Sequence, residues 1–220
     1  MKTGSDRLGS LATAVARAAP DFDGEQQRIA LEVYRRLADG SPASASSIAQ
    51  DAGASSERVE ELLASWPGVF LDGDRRVIGF WGLTIRRLSP AHRMEVDGRE
   101  LFAWCAWDTL FLPGILGVTA NVESVCPTTG DVVSLAVSPD SVLQVSHPDA
   151  VVSFLLPDRG FDADVIQSFC HFVHFFASRE AGEAWITTHP GTFLLSLEDA
   201  FELGRLVNAL NFPSALGSGR

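Results

Sequence analysis

A chain of 220 residues with 46% apolar and 20% charged residues can form one large domain or a small domain joined to a medium one, and its composition argues against disorder away from the ends. No apolar run reaches the ~18 residues of a membrane span, and residues 1–20 contain no apolar stretch of signal-peptide length, so the expected location is the cytoplasm. The formal charge of −11 is uneven, with 11 basic and 12 acidic residues in Met1–Leu88 against 6 and 16 in Ser89–Arg220; neither part has the basic excess of a nucleic-acid footprint.

In chain order, Ile29, Ala30, Val33, Tyr34 and Leu37 recur at helical spacing between Glu25 and Leu37, and Gly40 with Pro42 ends the pattern. Two shorter helices are predicted at Ser46–Ala52 and Ser55–Trp66, separated by Gly53, the second with Val59, Leu62 and Leu63 behind a serine cap. Val69–Leu71 and Val77–Leu83 then read as β runs joined around Asp72-Gly73-Asp74. Three helices and a hairpin predict a winged helix-turn-helix-like domain over 1–88. It could bind DNA or serve as a packing or lid domain; Asp51, Glu57, Glu60 and Glu61 around the would-be recognition helix favour the second.

From Ser89 onward the signals are mainly β, at Met94–Val96, Arg99–Phe102, Val118–Val122, Val132–Val137, Val142–Val145 and Val151–Leu155. A strand His171–Ala177, a helix Glu180–His189, a strand Thr192–Ser196 and a helix Leu197–Leu210 complete the chain. The expected fold class is α+β, with a mixed sheet and helix core over 89–220 after the amino-terminal domain.

One apolar segment, Phe102 to Pro113, interrupts the strands and carries Cys105 and Asp108. On a helix, residues three apart share a face with Cβ atoms roughly 5–6 Å apart, which would set a soft ligand beside a proton donor. Most free cysteines are small buried hydrophobes, and Asp108 could be a cap or half of a buried ion pair. Yet Trp104, Trp107, Phe111 and Leu112 would desolvate its carboxyl and raise its pKa, which suits a general acid. Cys170 lies in a second apolar run, Gln167 to Phe176, with His171 and His174 nearby. On a strand those two histidines would face opposite ways, so structural hydrogen bonding is their simpler role. Cys126, at a strand end beside a turn, reads as structural. Three widely spaced cysteines fit neither a secreted disulfide framework nor a zinc ribbon. No phosphate loop, hydrolase triad or zinc-protease helix is present.

The blocks Leu101-Phe102-Ala103-Trp104-Cys105-Ala106-Trp107-Asp108-Thr109-Leu110 and Gln167-Ser168-Phe169-Cys170-His171-Phe172-Val173-His174-Phe175-Phe176-Ala177-Ser178 resemble the two signature blocks of the organomercurial (alkylmercury) lyases. The resemblance extends through Gly79–Thr84, Val137-Ser138-Pro139 and Glu198-Asp199-Ala200-Phe201 with Leu203-Gly204, spanning Ile78 to about Asn208. It implies that Cys105, Asp108 and Cys170 are catalytic, that Cys126 is structural, and that the winged-helix-like domain covers the core. His171 and Phe102 depart from the family, which often has a second cysteine and a tyrosine at those places.

The implied reaction is protonolysis of R–Hg–X to R–H and Hg(II), in detoxification of organic mercury. Two thiolates suit a soft, thiophilic metal, with Cys105, Cys170 and Asp108 as transient mercury ligands. No bound cofactor is expected. External thiols, or hand-off to a partner such as mercuric reductase, would clear Hg(II). The alternative is a metal- or organometal-responsive transcriptional regulator using the same thiols, for which Arg58, Arg75 and Arg76 are the available cations on the recognition helix and wing. A thiol oxidoreductase lacks a Cys-x-x-Cys pair and leaves Asp108 without a task.

Overall fold

The computed structural model describes residues 4–214 and 216. Its first element is α1 (Gly4–Ala18), a helix the sequence reading did not anticipate among the alanines and scattered charges before Pro20. Then come α2 (Gly24–Ala38), α3 (Ala45–Ala52) and α4 (Ser56–Ser65). Each starts at a side-chain cap: Asp23 and Gln26 form a reciprocal capping box on α2, and Ser44 and Ser55 accept backbone N–H bonds at the starts of α3 and α4. The apolar stripe of α2 is buried as its period predicts.

The strands β1 (Val69–Leu71), β2 (Val77–Phe80), β3 (Leu83–Thr84), β4 (His92–Val96), β5 (Arg99–Ala103), β6 (Ala120–Val125), β7 (Val132–Val137) and β8 (Val142–Leu143) make one antiparallel sheet in the order β1-β2-β3-β5-β4-β6-β7-β8. Alternating burial along β6 shows one face of that sheet on the core and the other in solvent. A second antiparallel sheet, β10-β9-β11, is built from β9 (Val151–Leu155), β10 (Phe175–Phe176) and β11 (Thr192–Ser196). Helix α5 (Asp108–Leu116) follows β5, the single turn α6 (Val165–Ser168) precedes β10, and α7 (Arg179–Thr187) with α8 (Leu197–Asn211) closes the chain. The architecture is mixed α+β, and among the described residues no helix is long and apolar enough to cross a membrane.

Two expectations need correction. The run Val77–Leu83 is not one strand: β2 ends at Phe80, Trp81 and Gly82 turn with φ of 32° and 91°, and β3 returns against β2. The expected strand His171–Ala177 is mostly not a strand either, because Cys170–Phe172 is a turn of 3₁₀ helix and only Phe175–Phe176 pairs, with β9. The apolar density that suggests β there serves burial: Phe169, Cys170, Val173, Phe175 and Phe176 are all interior.

Helices α5 and α8 meet at Gly204, where a Cβ would lie 2.7 Å from the Phe111 Cβ, so only glycine permits the approach. Two long-range bonds fix this packing, from Trp107 Nε1 to the Ala200 carbonyl (2.9 Å) and from Asn208 Nδ2 to the Phe111 carbonyl (3.0 Å). Through these contacts α8 holds the start of α5, where Asp108 sits.

Candidate active site

In the sheet, Ala103 at the end of β5 stands opposite both Leu83 on β3 and His92 on β4. The chain then leaves the sheet at Trp104, whose N–H donates to the Gly82 carbonyl at 2.9 Å. Cys105 is therefore not on a helix with Asp108, as the i, i+3 spacing suggested. It lies in the turn before α5, and Asp108 is the first residue of that helix. The pair still meets: the Cys105 backbone N–H donates to Asp108 Oδ2 at 2.8 Å, and Thr109 Oγ1 closes the turn on the Ala106 carbonyl at 2.7 Å. A carboxylate at a helix start also lies at the positive end of the helix dipole.

Cys170 arrives from the far end of the sequence. The Ala106 N–H donates to the Val173 carbonyl (3.1 Å), tying the two cysteine-bearing turns together. Ser153 on β9 clamps the second turn, with Oγ donating to the Phe172 carbonyl (2.8 Å) and accepting from the His174 N–H (3.0 Å). The result is that a ligand atom from each of Cys105, Asp108 and Cys170 lies within 4.8 Å of the other two, with all three residues buried.

Burial sets the electrostatics. It raises the Asp108 carboxyl to about 7, against hydrogen bonds from Cys105 and the Trp104 backbone that lower it. The Cys105 thiol is pushed well above its ordinary value by burial first, then by its hydrogen bond to Cys170 and the Asp108 charge. The same Cys105 bond pulls Cys170 down, but burial and the Asp108 charge leave that thiol raised as well. At neutral pH the cluster holds protons on sulfur beside a carboxyl able to take or give one.

Asp108 and Cys170 open onto a cavity of about 70 Å³, walled largely by aromatic rings including Trp81, Trp104, Trp107, Phe161 and Phe169. Val15 on α1, Ala19 just after it, Phe22 in the following loop and Tyr34 on α2 also line it, together with residues of α5 and α8, so the amino-terminal helices help to cover the site. Sequence reasoning placed Trp104, Trp107 and Phe111 around Asp108 but missed the lining residues distant in sequence, among them Val15, Phe22, Tyr34, Trp81 and Phe161. The aromatic residues recur where core packing alone would put them, and no local signal separates a cavity wall from a core.

Cys126 is buried just after β6 and away from this cluster. Its own burial raises the thiol, but the Thr129 hydroxyl and N–H groups of Ala177, Thr129 and Thr128 outweigh that and leave it lowered. Phe102, on β5, stands opposite Thr84 on β3 and Arg93 on β4. His171 is exposed, while His174 points inward and donates from Nε2 to the His171 carbonyl at 2.8 Å. The opposite-face argument for these two falls with the strand. The His174 ring stacks at 6.0 Å on buried His92, whose Nδ1 contacts Ser124 Oγ at 2.8 Å.

Burial lowers His92 to about 3, helped by His174, and lowers His174 to about 4, helped by neighbouring histidines and opposed by its bond to the His171 carbonyl. Both lie below the unfolded value of ~6.5, so their contribution to stability is complete above that pH and is lost as pH falls toward 3–4. Asp108 works the other way: raised in the fold, it regains stability as pH falls through 7. From pH 7 to pH 5 urea unfolding should therefore show a net loss of only about 1.5 kcal/mol, growing to about 4 kcal/mol in Asp108→Asn. Equal losses in the two proteins would contradict this assignment.

A family model described as alkylmercury lyase matches residues 88–208. The chain is 44% identical over 177 residues to the alkylmercury lyase of Staphylococcus epidermidis (strain ATCC 12228 / FDA PCI 1200), covering 80% of each chain. It is 44% identical over 175 residues to the alkylmercury lyases of Bacillus cereus, covering 80% of this chain and 78% of that one, and of Pseudomonas putida, covering 80% of each. Among solved structures, the mercury-bound form of MerB2 superposes with a TM-score of 0.71 at 23% identity, over 92% of this chain and 98% of that one, a likeness of fold.

Proposed function

The chain belongs to the alkylmercury lyase family, and we propose that it opens the carbon–mercury bond of R–Hg–X by protonolysis, with Cys105 and Cys170 as mercury ligands and Asp108 as the proton carrier. The observation that carries this reading is two buried thiols and a carboxyl, their ligand atoms within 4.8 Å, at the edge of an aromatic cavity. Soft thiolates match soft mercury, and an aromatic wall matches a hydrocarbon substituent.

The first thiol, Cys170, displaces X and forms R–Hg–S, its proton leaving with X. Asp108 as carboxylate takes the proton of Cys105, whose thiolate adds to mercury and pushes electron density toward carbon. Asp108 then returns that proton to the carbon as the C–Hg bond breaks. The products are R–H and Hg(II) held by two thiolates, with Asp108 again ionised. A carboxyl near 7 suits both halves of this cycle. No resident cofactor has a role in it; Hg(II) leaves to small-molecule thiols or to a reductase partner.

Residues 1–88 act in this reading as a winged-helix-like cover rather than a DNA reader. Arg58 is ion-paired with Glu25 and Glu61, and Arg76 with Asp72 and Asp74, which leaves those two arginines poorly placed to bind phosphate. The test is reduced protein with phenylmercury and excess thiol, following benzene and Hg(II). Stoichiometric benzene with turnover is expected; tight mercury capture without benzene would overturn the proposal.

A further inference from the structure

The proton carrier is seated against a turn that a residue of the covering helices holds in place. Gly82 has φ of 91°, and a Cβ there would lie 2.8 Å from both Cγ and Oδ1 of Asp108, so the carboxyl rests on the bare Cα of this turn. The preceding residue, Trp81, is not glycine and yet has φ of 32°. A bulky side chain in the left-handed region persists only where its surroundings over-determine it. Three contacts do so here. The Trp81 N–H donates to the Gly68 carbonyl at 3.2 Å, and the Gly82 carbonyl accepts from the Trp104 N–H at 2.9 Å. The Trp81 carbonyl accepts from the Tyr34 hydroxyl at 2.9 Å, 47 residues away on α2.

Tyr34 is 2% exposed, packs at 5.0 Å on Phe80 and borders the same cavity as Asp108. We propose that Tyr34 is a positioning residue for proton delivery: its hydroxyl fixes the Trp81–Gly82 turn, and the turn fixes the Asp108 carboxyl toward the reacting carbon. This rests on the lyase reading and assigns the amino-terminal helices a task beyond coverage. The thiols also have anchors of their own in the Ala106–Val173 bond and the Ser153 clamp, so loss of the Tyr34 hydroxyl should slow cleavage while mercury capture is kept.

The experiment is Tyr34→Phe in the full chain, mixed with one equivalent of phenylmercury. Two readouts are taken: the thiolate–mercury ultraviolet absorption, which counts captured mercury, and the rate of benzene release per captured mercury. The expected result is wild-type capture with benzene release slowed about tenfold. A purely structural tyrosine would lower both in proportion to the folded fraction, and an unchanged rate per captured mercury would overturn the inference. If Tyr34→Phe fails to fold, Trp81→Gly removes the left-handed strain; in that background Tyr34→Phe should fold and cause no further slowing, and a tenfold loss there would also overturn it. Wild-type protein that captures mercury without releasing benzene would sink the lyase reading and this one together, whereas wild-type kinetics in Tyr34→Phe sink this one alone.

Discussion

Asp108→Asn retains mercury capture but releases benzene about 10²–10⁴-fold more slowly than the wild type, the range expected when a positioned proton donor is removed. Asparagine is the informative replacement. Its Oδ1 can still accept the Cys105 N–H, which alanine would leave buried without a partner at about 1–3 kcal/mol. Asparagine also matches the shape that rests against Gly82. It cannot carry a proton from Cys105 to carbon. A slow Asn variant with intact capture therefore isolates proton transfer from loop geometry. A fast one would reduce Asp108 to a residue that shapes the turn, the capping role its sequence position also allowed.

The sequence favoured a proton donor over a cap at Asp108, and the structure shows a geometry that the spacing did not predict. The i, i+3 spacing of Cys105 and Asp108 suggested a shared helical face, but the meeting is made by a turn in which the Asp108 side chain reaches back to the Cys105 backbone. Helices α2 to α4 were readable because their signals are local: the apolar period of Ile29 to Leu37, the breaks at Gly40 and Gly53 and the Ser55 cap act within a few residues. The Cys170 block was misread as a strand because dense aromatic residues raise β-propensity wherever they are buried. What turns it into 3₁₀ is tertiary, the grip of Ser153 on Phe172 and His174. Helix α1 was legible but overlooked: Leu8, Leu11, Ala12, Val15 and Ala18 recur at helical spacing, and packing on α8 makes the helix a wall of the cavity. The meeting of Cys105 with Cys170 was suggested by resemblance. No spacing rule reaches across 65 residues.

Cys170→Ala removes the second thiolate and should lower the rate of benzene release by at least about 10³-fold, because a tethered thiol at contact distance acts at an effective concentration no external thiol reaches. One thiolate can still form R–Hg–S with Cys105. Mercury then stays two-coordinate, carbon receives less electron density, and small-molecule thiols compete for the metal, so capture weakens along with chemistry. This distinguishes Cys170 from Asp108, whose loss spares capture, and from Tyr34, whose loss is milder. Cys126→Ser is the matching control: its hydroxyl can accept the same N–H bonds from Thr128, Thr129 and Ala177, it removes one of three free thiols, and it should leave benzene release near the wild-type rate. If Cys170→Ala kept a rate within tenfold of wild type while Cys126→Ser lost it, mercury would be held at a different pair of sulfurs, and the buried cluster of two thiols and a carboxyl would be a packing arrangement. Because the ligand atoms of Cys105, Asp108 and Cys170 lie within 4.8 Å of one another in a cluster that does not include Cys126, the expected order of rates is wild type and Cys126→Ser together, Tyr34→Phe below them, and Asp108→Asn and Cys170→Ala lowest.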